Sequence, residues 1–179
     1  MLKMITEEDL KILITEKELQ NKIAELGQKL NEYYKNEELY VVCVLKGSVM
    51  FTVDLVKHLK MPVHMNFIRL SSYGSGFTST GKVNAVDISL PDLNGKNVLI
   101  VEDIIDTGLT AKFLIDFMNL NFKTKSLNFC SLLDKKETRK TEIQPDYSCF
   151  EIGNQFVVGY GLDYDGFYRN IPYIGYIET

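Results

Sequence analysis

The sequence predicts an α/β fold with a largely parallel sheet flanked by helices. Three observations predict it. Short apolar runs rich in β-branched residues alternate with helical patterns along the chain. The runs end in polar clusters, at Lys46-Gly47, at Glu102 to Thr110 and at Asp134-Lys135. Each cluster falls at the expected carboxyl end of a strand, where parallel α/β sheets bind their ligands.

The elements follow in order. Leu19, Ile23, Leu26, Leu30 and Tyr33 recur at steps of four and three, which predicts one apolar stripe on a helix near 16–35. Thr15 with Glu18 three residues later forms a capping-box pattern. Leu39–Leu45 reads as a buried strand, closed by Lys46-Gly47-Ser48 and followed by a helix to about Leu59. Val63–Leu70 is a second strand. Ser71–Lys82, dense in Gly, Ser and Thr, reads as a loop. Val86, Ile88 and Leu90 alternate with polar residues as a half-exposed strand does. Asn97–Val101 predicts a buried strand, with a helix from about Gly108 to Leu120. Ser126–Leu133 and Gln155–Tyr160 complete the strands, and Asp165-Gly166 marks a turn.

One domain over residues 1–179 is expected, since no repeat, low-complexity run or linker interrupts the chain. The net charge of -4 argues against a duplex nucleic acid as partner, because such binding usually needs a basic face. The charged N-terminus does not fit a secretory signal, and no run approaches a membrane span. Cys43, Cys130 and Cys149 sit among apolar or aromatic residues and form no CxxC pair, so they read as buried free thiols. A cytoplasmic location fits these features.

The chemistry concentrates in VLIVEDIIDTGLT, residues 98–110. Glu102 and Asp103 follow a buried strand, Asp106 comes three residues on, and Thr107-Gly108 leads into a helix. Helix-start N–H groups with the Thr107 and Thr110 hydroxyls can cradle a phosphate. Acids beside such a cradle would repel the ligand unless they grip sugar hydroxyls or a Mg²⁺ that travels with it.

VEDIIDTGLT resembles the phosphoribosyl pyrophosphate (PRPP) signature of the type I phosphoribosyltransferases, most closely the hypoxanthine-guanine branch. VLKGS (44–48) is similar to that family's pyrophosphate loop, and FIRLSSYGS (67–75) to the start of its flexible lid. SLLDKK (131–136) and FVVGYGLDYDGFYRN (156–170) are similar to its purine-pocket segments. The resemblance runs from about Val41 to Arg169. It implies transfer of phosphoribose from PRPP to hypoxanthine or guanine, a small hood beside the main sheet, a homodimer or homotetramer, and Mg²⁺.

Roles follow residue by residue. Glu102 and Asp103 match the acids that hold the ribose hydroxyls and Mg²⁺. Asp106 matches the general base near N7. Asp106, Thr107, Gly108, Leu109 and Thr110 match the 5′-phosphate loop. Lys46, Gly47 and Arg169 match pyrophosphate contacts, and Ser72 and Tyr73 the lid. Lys135 matches the group that reaches the 6-oxo oxygen, Phe156 the stacking aromatic, Val157 a backbone contact, and Asp163 a ligand of a second Mg²⁺. The resemblance also implies a cis Leu45–Lys46 peptide. Leu109 and Gln155 stand where some members carry Lys.

Read alone, several of these residues have plainer roles. Lys135 and Lys136 could be solvated charges after a strand, Phe156 could be core, Asp163 could cap the Asp165-Gly166 turn, and Arg169 could be a surface charge. His58 and His64 lack partner spacing and receive no catalytic role. A phosphoribosyltransferase for xanthine or a pyrimidine, and a PRPP-sensing regulator that binds nucleic acid, are the competing functions. The regulator fits poorly with the acidic charge and with a complete set of Asp106, Lys135, Asp163 and Arg169.

Overall fold

The structure is a computed structural model and describes residues 10–72 and 83–177. In chain order the elements are β1 (Leu10–Ile14), α1 (Glu16–Tyr34), β2 (Leu39–Leu45), α2 (Val49–Lys57), β3 (Val63–Ser72), β4 (Val83–Ile88), β5 (Asn97–Ile105), α3 (Leu109–Asn121), β6 (Ser126–Asp134), β7 (Tyr147–Glu151), β8 (Val157–Val158) and β9 (Ile174–Ile177). The main sheet runs β4-β3-β2-β5-β6-β7 and is parallel except for β4, which pairs antiparallel with β3. A smaller antiparallel sheet runs β1-β9-β8.

Residue alternation builds a core on each face of the main sheet. Val41, Leu99 and Val101 pack with Leu19, Ile23 and Leu30 of α1 and with Leu55 of α2. Val42, Val44, Val98 and Ile100 turn the other way, onto Leu114 and Met118 of α3. The small sheet joins the first core through Ile14, Val157 and Ile174, which seats it as a hood on the α1–α2 side.

The capping box of α1 forms: the Thr15 hydroxyl accepts the Glu18 N–H at 3.3 Å, and Glu18 Oε2 accepts the Thr15 N–H at 2.9 Å. The expected stripe is corrected at its end, where Tyr34 is buried and Tyr33 is exposed. A second step of four from Leu30 keeps the aromatic on the core face, and the Tyr34 hydroxyl donates to Asn128 Oδ1 at 2.9 Å.

Several strand boundaries differ from expectation. β5 continues four residues past Val101, because pairing with β6 runs on through Glu102–Ser131, Ile104–Leu133 and Ile105–Asp134. Glu102 and Asp103 therefore lie within a strand, where the ladder holds their backbone. The strand expected at Gln155–Tyr160 shortens to Val157–Val158. Gly159, Tyr160 and Gly161, at φ 97°, 49° and 103°, turn the chain out of extended geometry. β3 reaches Ser72, so the expected loop loses its first two residues, and its remainder, with Tyr73, lies outside the described residues. The Asp165-Gly166 turn forms as expected, with φ 51° and 85° and paired Tyr164–Phe167 backbone bonds.

All three cysteines are buried and free. The His64 ring stacks on Tyr40 at 4.4 Å, and His58 ends α2. Among the described residues no helix is long and apolar enough to cross a membrane.

Candidate active site

Sheet order brings the clusters together. From β2 the chain goes to β3 on one side and reaches β5 on the other, so a crevice opens beyond the carboxyl ends of β2 and β5. Cys43 pairs with Val101. Just past this pair, the Lys46-Gly47 turn meets Asp103, two residues beyond Val101.

That turn is held from beneath. The buried Ser48 hydroxyl donates to the Val44 carbonyl at 2.7 Å and lies 3.2 Å from Cys43 Sγ. The Leu45–Lys46 peptide is cis, as the resemblance implies. A Cβ on Gly47 would overlap Asp103, and one on Gly161 would sit 2.0 Å from the Gly47 carbonyl oxygen. Glycine at both positions lets the hood turn, the 46–47 loop and the acid pack together.

Glu102 and Asp103 form the floor. Burial, together with the neighbouring Asp103 charge, pushes the Glu102 carboxyl well above the usual range. Its Oε2 is buried with no hydrogen-bond partner. Burial raises Asp103 to about 6, opposed by the Ile104 N–H, which donates to Oδ1 at 2.9 Å, and by Arg169.

The phosphate-loop residues follow β5. Gly108, at φ 80°, is the residue before α3, and its carbonyl accepts the Lys112 N–H at 2.9 Å. The chain after β6 packs onto this loop. The Lys140 N–H donates to the Thr107 carbonyl at 2.9 Å, and Arg139 Nε donates to the Asp106 carbonyl at 3.1 Å. The Thr138 hydroxyl donates to Asp106 Oδ1. Arg139 also forms a buried ion pair with Asp134. Next to Asp134, Lys135 is buried and its N–H donates to the Ile105 carbonyl at 2.9 Å. Desolvation lowers the Lys135 ammonium pKa from the ordinary lysine value, opposed by the Asp106 charge. Lys135 is thus no solvated charge.

On the hood side, Arg169 pairs with Asp163 Oδ1 at 2.7 Å and donates to the Gly161 carbonyl at 2.6 Å. Asp163 Oδ2 accepts the Gly166 N–H at 2.8 Å, so Asp163 does cap its turn. Phe156 is exposed, not core, with its ring edge-on to Tyr164 at 5.7 Å.

A cavity of about 330 Å³ collects Lys46, Gly47, Glu102, Asp103, Thr110, Asp163 and Arg169. Its lining does not include Asp106, Thr107, Gly108, Leu109, Lys135, Phe156 or Val157. Ser72 ends β3, one strand away from β2. Sequence reasoning missed Arg69 and Leu70, which line the cavity, and Thr138 and Arg139, which brace the loop. Arg69 had a signal, since it belongs to the FIRLSS segment already singled out. Thr138 and Arg139 had none, because their partners lie more than 30 residues away.

The match to a family model, Phosphoribosyl transferase domain, spans residues 13–165. A Streptococcus thermophilus hypoxanthine-guanine phosphoribosyltransferase is 40% identical over 98% of this chain and 97% of its own length. Its Bacillus subtilis namesake is 42% identical over 94% of this chain and 93% of its own length. A crystal structure of a Staphylococcus aureus hypoxanthine phosphoribosyltransferase superposes with a TM-score of 0.90 at 40% identity, covering 98% of this chain and 97% of that one. A Bacillus anthracis hypoxanthine-guanine phosphoribosyltransferase, crystallised with HEPES in its active site, gives 0.88 at 44% identity, covering 94% and 98%. On its motifs, its crevice and these likenesses, the chain belongs to the phosphoribosyltransferase family, in the hypoxanthine-guanine branch.

Proposed function

We propose that this enzyme transfers the 5-phosphoribosyl group of PRPP to N9 of hypoxanthine or guanine, giving IMP or GMP and pyrophosphate. The cavity carries the reading. Lys46, Arg69 and Arg169 stand in it with Glu102, Asp103 and Asp163. A ligand that is anionic at one end and rich in hydroxyls in the middle suits that mixture. Lys46, the Gly47 backbone and Arg169 take the pyrophosphate, and Ser72 and Tyr73 approach it from the lid. Asp106 to Thr110 take the 5′-phosphate, and Glu102 and Asp103 the ribose hydroxyls.

The residues fit Mg²⁺. Glu102 Oε2, buried and without a partner, is a hard oxygen awaiting a cation or a hydroxyl donor. Among the described residues no three His, Cys, Asp or Glu side chains close on one point. Mg²⁺ keeps several water and phosphate ligands, so one or two carboxylates suffice at each ion. Glu102 and Asp103 would hold one ion and Asp163 another. When bound, Mg²⁺ neutralises the leaving pyrophosphate.

As positive charge develops at the anomeric carbon and N9 attacks, the Asp106 carboxylate takes the proton from N7. Phe156 stacks on the purine, the Val157 backbone bonds its edge, and Lys135 donates to the 6-oxo oxygen. The same reading makes the enzyme a cytoplasmic homodimer or homotetramer.

Lys135 has donors and no acceptor, so adenine, with an amino group at position 6, opposes two donors there. A site built around such a contact rejects the mismatched analogue by roughly 10⁴–10⁵-fold. The test is kcat/KM for hypoxanthine, guanine, xanthine and adenine with saturating PRPP and Mg²⁺. Guanine is expected to match or exceed hypoxanthine, and xanthine to be poorer. Comparable turnover of adenine sinks the reading.

A further inference from the structure

Asp106 is held at its backbone and at its side chain by different residues. Its carbonyl accepts from Arg139 Nε at 3.1 Å, and the next carbonyl, of Thr107, accepts the Lys140 N–H at 2.9 Å. Arg139 is itself fixed by its ion pair with Asp134 and by donating to the Ile143 carbonyl at 2.5 Å. These bonds set where the Asp106 backbone lies. They leave its carboxylate free to turn about its side-chain bonds. The Thr138 hydroxyl, donating to Oδ1, removes that freedom.

Thr138 ends a 3-10 turn, Lys136–Thr138, that begins just after Lys135. Its oxygen also lies 3.2 Å from the Lys135 carbonyl. A hydroxyl has one proton, and a charged carboxylate is the stronger acceptor of the two. The side chain therefore sits between the two residues assigned to adjacent atoms of one purine edge, N7 and the 6-oxo oxygen.

We propose that Thr138 is a positioning residue for catalysis: its hydroxyl engages one carboxylate oxygen of Asp106 and so presents the other to the purine N7–H. The proposal rests on the reading of Asp106 as general base. The acidic side chain is aimed by a turn that directly follows the purine-reading lysine, so base geometry and base recognition are set by one short segment.

Thr138→Val keeps the β-branched shape and loses the donor, while Thr138→Ser keeps the donor. Steady-state kinetics with hypoxanthine are expected to show kcat lowered about 10-fold in Thr138→Val, the scale of one charge-assisted hydrogen bond. KM for PRPP is expected to stay within about 2-fold, and Thr138→Ser to recover most of kcat. In an Asp106→Ala background, Thr138→Val is expected to change kcat by less than about 2-fold, since the hydroxyl then has nothing to aim. Thr138→Ala is a second donor-free variant if the valine perturbs folding, which a thermal melt reports. Wild-type kcat in the donor-free variants, equal losses in valine and serine variants, or the same loss with and without Asp106 overturns the proposal. If Asp106→Ala alone keeps wild-type kcat, it is the general-base reading that fails, and the positioning role falls with it.

Discussion

Gly47 lies so close to Asp103 that a Cβ built on it would sit 1.5 Å from Asp103 Oδ2. The turn after β2 and the floor on β5 are in direct contact. Hydrogen at position 47 is what permits it.

Gly47→Ala is expected to displace either the loop or the Asp103 carboxylate. The added methyl overpacks a tight contact, a change that costs about 1–3 kcal/mol. If the strain is relieved by moving either group out of its binding position, affinity for PRPP should fall roughly 5- to 150-fold for a loss of that size, and melting should drop by roughly 2–12 °C if the strain stays in the fold. Calorimetric titration with Mg²⁺–PRPP checks it, and unchanged affinity would show that the contact has no part in binding.

Asp106→Asn is expected to lower kcat on the order of 10²–10⁴-fold while PRPP binding stays near wild type. The amide keeps the shape and the acceptor for Thr138 but cannot take the N7 proton. Single-turnover kinetics separate the chemical step from product release, and a wild-type rate there removes the assignment.

Asp103→Asn is expected to stabilise the ligand-free enzyme at alkaline pH while abolishing activity. Burial raises the Asp103 pKa from 3.8 to about 6, so the fold favours the neutral acid. That contribution is present below the unfolded value and is lost as pH rises through the folded one. Asparagine has no proton to lose, so its advantage over wild type grows across that window, to about 1–3 kcal/mol. Urea midpoints compared at about pH 4.5 and about pH 8 test the sign. An advantage that shrinks with pH would contradict it.

Arg139→Met is expected to destabilise the fold by about 3–5 kcal/mol, because it leaves the Asp134 carboxylate buried without its cation. Adding Asp134→Asn should restore part of the loss, since the stranded charge is then gone. Denaturant unfolding of the two single variants and the pair measures it, and additive losses would argue against the ion pair as the cause.

Local pattern was enough for the order of elements around the site. Leu39–Leu45, Asn97–Val101 and Ser126–Leu133 are apolar enough to specify strands locally, and the glycines and polar clusters that end them mark where ligand chemistry belongs. It also carried the family, because the PRPP signature and four further segments are contiguous stretches. The rest came from packing. Glu102 and Asp103 lie within β5 because β6 continues the ladder beneath them, a partner that a polar sequence does not announce. β1 and β9 pair across the two ends of the chain, and β8 is two residues long, so no local periodicity reveals the hood. The bracing of Asp106 by Thr138 and Arg139 joins residues more than 30 positions apart. Local pattern reports how a segment folds; which distant side chain meets it depends on how the strands and loops are packed together.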